Sequence, residues 1–510
     1  MSSTDDNVDT GTTEFIAELD RTINAVKLKL LNQHSLPTTS TPELIEHALA
    51  SLPQTVPSQG IGLHDTTTLL LDKVCPALAP GQTGPRWFGL VTGGVNPASH
   101  IADNLVTLYD PNVQIHNSKE TISTSLEQLT LNWLIDMLNL NRHEFTNNSF
   151  TTGATASNVL ALTLGRESVV NKIKKFQGQD DWSVAQDGFG STLVQVLVSG
   201  AHASVMKAAS LVGIGRKNVR DVTQQGSICD FDLKQLEAIL KTNQQTSTGS
   251  IVVVSAGEVN TGGWTSNVDK IATLCKLYDA WLHIDAAFGA FAILSKKFEH
   301  VAKDLSFADS ITGDAHKCNN VPYDCGFLFS KTNTLYKVCG PGLNAPAYLE
   351  SSTSSSASFP HLDEYTNMKS PLFLGIENSK RFRALPVFAS LISLGTRGYK
   401  HMVESNLKFA ETITHWLRQH EGYQVLLPVD ESFVQMNIVL FKASTHAPDR
   451  FQGTQGNSLL IKLINETRQV YCTGTTWRGQ GAIRFAISNW STRLDRDWPI
   501  VRDVLDRVMR

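Results

Sequence analysis

Ile251-Val252-Val253-Val254 is an uninterrupted β-branched run, and it constrains the fold more than any other stretch. A strand with one wet face alternates apolar and polar side chains. A strand that is apolar throughout must be covered on both faces, as in a parallel sheet packed between helices. Comparable runs lie at Leu193 to Val198, Ala280 to Ile284, Phe307 to Ile311 and Gly326 to Phe329, with helical patterns between them. The alternation predicts an α/β fold with a mostly parallel sheet. In such sheets ligands bind beyond the carboxyl ends of the strands. Those ends carry Ala201-His202-Ala203-Ser204, Gly257-Glu258, Asp285-Ala286-Ala287 and His316-Lys317.

Lys317 lies between two of these runs, in a position that predicts burial. A buried ammonium is costly, so such a lysine pairs with a carboxylate, loses its proton, or forms an imine with a carbonyl. Asp314 and Asp324 are near enough in sequence to serve as ordinary ion-pair partners. Asp285 ends the apolar strand Trp281 to Ile284. It is either a cap on the next turn or a carboxylate that holds a protonated ring nitrogen. The small residues after it give a flat ring room to approach. Thr151 to Leu164 opens with small polar residues and runs into a helix. A helix start offers free N–H groups and a partial positive charge to a phosphate, although simple capping is the commoner use.

Thr152-Gly153-Ala154-Thr155-Ala156-Ser157-Asn158, Ala201-His202-Ala203-Ser204, Asp285-Ala286-Ala287 and His316-Lys317, in this order, resemble the group II pyridoxal-phosphate-dependent decarboxylases. This is the family of the aromatic-amino-acid, glutamate and diaminobutyrate decarboxylases, and the match runs from about Pro85 to Trp490. The resemblance implies fold type I, with a seven-stranded large domain and a smaller α+β C-terminal domain. Residues 1–13, polar and acidic, read as a disordered tail, followed by a helical segment (14–84), a cofactor domain (85–380) and a small domain (381–510). The resemblance also implies pyridoxal 5'-phosphate bound as a Schiff base to Lys317, with Asp285 on the ring nitrogen. The ring would be clamped between His202 and Ala287. Phosphate contacts would come from Ala154, Thr155 and His316, with Gly153 permitting close approach. His202 and the loop residue Tyr348 would be the further catalytic groups, and the sites would be shared across a homodimer.

The chain also departs from the family pattern. Leu90 and Val91 stand where aromatic-acid enzymes carry more aromatics, which weakens the case for an aromatic substrate. Glu258 replaces a common threonine and reads either as a solvent-side cap or as an extra substrate contact. Cys318 replaces a bulky neighbour of the lysine. His116 reads as a structural histidine or as a contact to substrate or cofactor.

The chain has 510 residues and a net charge of −4, which gives no electrostatic case for nucleic acid or an anionic membrane. Its 7 cysteines show no zinc-type spacing, so neither a metal site nor a disulfide framework is expected. The N-terminus lacks the features of a secretory signal and no apolar run reaches spanning length, so a cytoplasmic protein is expected. A catalytically silent cofactor-binding protein would be expected to lose Lys317, Asp285 or Tyr348. All three are present, which favours an enzyme that releases CO2 from an amino acid. With both Tyr348 and His202 kept, the expected product is the amine, and the alternative is an aldehyde formed with oxygen.

Overall fold

The computed structural model describes residues 6–299, 303–340, 368–428 and 433–510. Tyr348 and the serine-rich run after it lie outside the described residues.

The expected seven-stranded sheet is present. Its strands are β1 (Asn147–Thr151), β2 (Val194–Val198), β3 (Val219–Asp221), β4 (Gly249–Ser255), β5 (Trp281–Asp285), β6 (Ser310–Asp314) and β7 (Gly326–Ser330). They lie in the order β1-β7-β6-β5-β4-β2-β3. Neighbours from β3 through β6 run parallel, whereas β7 is antiparallel to both β6 and β1. Every residue of β4 and β5 is buried, as the unbroken apolar runs require. Helix α1 spans Asp6–Leu31, α2 spans Ala154–Phe176 and α3 spans Ala203–Leu211. The core on the α2 side joins Leu160 and Leu164 to Val196, Ile251, Val253 and Trp281.

A second sheet holds β8 (Tyr423–Val425), β9 (Ile438–Ala443), β10 (Thr473–Trp477) and β11 (Gln480–Ala486), all antiparallel in the order β10-β11-β9-β8. Two long helices flank it, α4 (Ala384–Gln419) and α5 (Leu494–Met509). Helix α4 breaks at Gly395, whose φ of 58° is one that a residue with a side chain adopts only under strain. Phe88 leaves its own sequence neighbourhood to pack against Phe409 and Phe485 in this second core. Arg86 makes a buried ion pair with Asp497 at 2.7 Å.

Three boundaries differ from expectation. The first helix begins at Asp6, so part of the expected tail is helical. Once a helix is nucleated each further residue adds one hydrogen bond, and extension does not require the apolar stripe to continue. The strand before Lys317 is Ser310–Asp314, because Phe307 closes a 3₁₀ turn (Lys303–Phe307). Pairing with β7 then carries the strand through Thr312, Gly313 and Asp314. The run from Val434 to Phe441 predicts a strand over its whole length, and that strand begins at Ile438. Among the described residues no helix is long and apolar enough to cross a membrane.

Candidate active site

The carboxyl ends of β2, β4, β5 and β6 and the start of α2 open into one cavity of about 360 Å³. Gly153, Ala154, Thr155, His202, Asp285, Ala287, His316 and Lys317 all line it. The four sequence motifs therefore converge on one place, although they come from separate turns.

Lys317 sits in a short helical turn, Ala315–Cys318, directly after β6. Its Nζ is 2.9 Å from the Asp314 carboxylate, which is buried. The other Asp314 oxygen accepts the Ala154 amide at 2.6 Å. One carboxylate thus ties the lysine to the start of α2, where the sequence alone predicts for Asp314 no more than an ion pair. The other candidate, Asp324, faces Arg383 instead. A Cβ on Gly153 would come within 3.2 Å of His316 Cε1, so only glycine leaves this corner open. The His316 ring leans against Tyr323, with centroids 4.6 Å apart. Burial, more than its neighbours, pushes the His316 pKa below the ordinary value.

Asp285 ends β5 with its Oδ1 accepting the Ala287 amide at 3.1 Å and its Oδ2 accepting Asn158 Nδ2 at 2.9 Å. His202 caps α3, because its Nδ1 accepts the Ser204 amide at 3.2 Å. That bond leaves any ring hydrogen on Nε2. Burial lowers the His202 pKa, and the Lys317 and Arg484 charges lower it further against the opposing pull of Asp285.

The departures now have positions. Leu90 and Val91 line the cavity, with Leu90 exposed and Val91 buried. Glu258 is buried, which corrects the solvent-side reading. It caps its own turn by accepting the Asn260 and Thr261 amides, each at 2.9 Å, and the Thr261 hydroxyl at 2.7 Å. Burial still raises its pKa, against the pull of those donors. His116 does not line the cavity. It is buried, with Nδ1 2.7 Å from Thr124 Oγ1. The Cys318 thiol is buried 3.4 Å from the Phe288 carbonyl, and desolvation pushes its pKa up to about 12, so it is no nucleophile.

These residues fit pyridoxal phosphate by the chemistry of the donor set. An amine, a carboxylate with a free acceptor site, an imidazole and a helix N-terminus meet in one polar cavity. Residues 71–444 match the family model described as the pyridoxal-dependent decarboxylase conserved domain. The chain belongs to that family. Among its curated relatives, Tyrosine/DOPA decarboxylase 5 of Papaver somniferum is 23% identical over 90% of this chain and 87% of its own. L-2,4-diaminobutyrate decarboxylase of Acinetobacter baumannii is 26% identical over 57% of this chain and 55% of its own. The crystal structure of Oryza sativa TDC with PLP and tryptamine superimposes with a TM-score of 0.80 at 18% identity, covering 98% of this chain and 99% of the other. That likeness establishes the fold as type I. Pyridoxal phosphate is the family's cofactor.

Proposed function

We propose that this decarboxylase converts an L-amino acid into the corresponding amine and CO2, with Lys317 as the covalent anchor of the cofactor. The carrying observation is the convergence of Lys317, Asp285, His202 and the α2 start on a single cavity. Bound there, pyridoxal phosphate supplies an aldehyde for the lysine amine and an electron sink for the substrate α-carbon.

The chain's own groups divide the remaining work. Lys317 presents its Nζ to the cavity, held by Asp314 until it reacts. The Asp285 carboxylate would keep a hydrogen on the ring nitrogen. His202, with Nδ1 committed to the α3 cap, would turn its Nε2 edge and its ring face to the cofactor and the substrate carboxylate. The phosphate would sit at the start of α2, against Ala154, Thr155 and His316, where the helix dipole favours an anion and the Ala154 amide, held here by Asp314, would turn to it. Tyr348 is proposed, from the resemblance, as the acid that returns a proton to the α-carbon. A held acid typically gains about 10²–10⁴-fold in such a transfer.

The assembly proposed is a homodimer in the cytoplasm, with the cofactor domain at 85–380 and the small domain at 381–510. Supporting the dimer, α1 leaves Phe15, Ile16 and Leu28 exposed on a single chain, and Leu108 and Tyr109 are exposed as well. The alternation of apolar and polar lining does not select one substrate. The names of the relatives, tyrosine/DOPA decarboxylase and L-2,4-diaminobutyrate decarboxylase, bracket the panel to try.

Two measurements test this function. Lys317→Ala should abolish the visible absorbance of the bound cofactor and leave nothing fixed to the chain after borohydride reduction. If both survive, the anchor is elsewhere. An amino-acid panel scored by CO2 and product mass should yield amine, and Tyr348→Phe should divert product to aldehyde and peroxide while CO2 release persists. A wild type that makes mainly aldehyde would defeat the amine assignment.

A further inference from the structure

Trp281, His283 and Asp285 occupy alternate positions of β5 and so share one face of the sheet, beneath α2. His283 is fully buried in mid-strand, where an imidazole demands partners on both nitrogens. Its Nδ1 lies 2.9 Å from Ser310 Oγ and 3.1 Å from the Ser310 carbonyl oxygen, and its Nε2 lies 2.9 Å from Asn158 Oδ1. The Ser310 hydroxyl accepts Trp281 Nε1 at 3.1 Å. Asn158 Nδ2 reaches Asp285 Oδ2 at 2.9 Å and Ser204 Oγ at 3.1 Å, and Ser204 Oγ in turn lies 2.9 Å from His202 Nδ1.

Chemistry fixes the direction of this chain. Asp285 as a carboxylate only accepts, so Asn158 turns its NH2 group toward it and its oxygen toward His283. The facing Nε2 of His283 must therefore carry the hydrogen. Burial pushes the His283 pKa down to about 4, so the ring is neutral, its one hydrogen is on Nε2, and Nδ1 has none to give the Ser310 carbonyl and accepts from the Ser310 hydroxyl instead. The Ser310 hydroxyl supplies that hydrogen, having accepted one from Trp281. Every donor then points the same way, from Trp281 through Ser310, His283 and Asn158 to Asp285, and Asn158 sends a second branch through Ser204 to His202. Hydrogen bonds in such a series polarise one another.

We propose that His283 and Asn158 are positioning residues that together aim Asp285 at the nitrogen edge of the cofactor ring and His202 at its face. Neither residue lines the cavity, so both act through the groups that do. A fully satisfied polar chain in a dry interior admits one arrangement of its members. Rotating Asp285 would strand Asn158, and rotating His202 would strand Ser204. The inference rests on the functional reading above, since it presumes a cofactor ring against Asp285.

The test compares His283→Phe, which keeps a planar ring and breaks the chain, with His283→Gln, which can accept from Ser310 and donate to Asn158. Protein stripped of cofactor is titrated with pyridoxal phosphate, following the visible band, and its unfolding midpoint is measured separately. His283→Phe should bind about tenfold more weakly, the upper end of the usual scale for losing a neutral hydrogen bond, with a displaced visible band. His283→Gln should stay within about threefold of wild type, with the wild-type spectrum. Asn158→Ala serves as the second broken chain should His283→Phe fail to fold, and it should weaken binding and displace the band in the same way. Equal affinities and identical spectra for the broken and conservative variants would overturn the proposal and leave the chain a purely structural network. A wild type with no pyridoxal phosphate fixed at Lys317 would overturn the functional reading, and this inference with it, so the two failures are distinguishable.

Discussion

His283 and Asp314 carry the two buried decisions on which the site depends. Burial holds the His283 ring neutral, with a pKa near 4 against an ordinary 6.5. As pH falls below 6.5 the unfolded chain takes up this proton and the folded one does not. Stability contributed by His283 is therefore present above 6.5 and is lost on the way down to about 4. A difference of that size corresponds to roughly 3 kcal/mol over the window. His202 and His316, also lowered by burial, add to the same trend. Urea unfolding at a series of pH values should show a steep loss between 6.5 and 4, with a shallower slope in His283→Gln. An unchanged slope in that variant would mean the ring is already exposed to protonation. Lys317, Asp285 and His202 were legible in the sequence because each occupies a strand end that a motif marks. Asp314 was legible as an ion-pair partner of Lys317 but not as the acceptor of the Ala154 amide, and the roles of Asn158 and His283 were not legible, because an asparagine in a helix and a histidine in an apolar strand mean nothing until the chain folds. Their signal is pairing across long sequence separations, and periodicity does not carry it.

At the scale of the element, the β-branched runs were enough to predict the sheet, while strand bounds depended on partners. β6 shows why. Its Gly313 pairs with Phe327 on β7, and a Cβ there would lie only 2.0 Å from the Phe327 ring. Phe327 is fully buried and stacks on Phe329, so it has nowhere to retreat. A glycine inside a strand often marks such a close approach. Gly313→Ala should cost about 1–3 kcal/mol by overpacking, read as a lower denaturant midpoint at constant slope. Because β6 delivers Asp314 and Lys317, the same variant should also release the cofactor faster. A midpoint equal to wild type would show that β7 can slide away from β6.

For the whole molecule, the exposed apolar residues of α1 call for a covering surface. Phe15 and Ile16 are each 53% exposed and Leu31 is 80% exposed in the single chain, more than a soluble helix needs to leave open. Sedimentation should therefore find a dimer across the micromolar range. Phe15→Glu with Ile16→Glu should shift it toward monomer and reduce turnover together. A fully active wild-type monomer would sink the shared-site assembly.

The packing of Phe88 into the second core also sets a timetable. Arg86 finds its carboxylate 411 positions later, and Phe88 rests on side chains from α4 and β11. At roughly 5–20 residues per second, a ribosome needs on the order of half a minute to supply those partners. Throughout that interval Arg86 lacks its carboxylate, and for most of it Phe88 lacks both aromatic partners. Chains released early are thus more than shortened enzymes: they carry a hydrophobic segment near the front whose lodging was never made, and they are the species a cell's chaperones and proteases would meet.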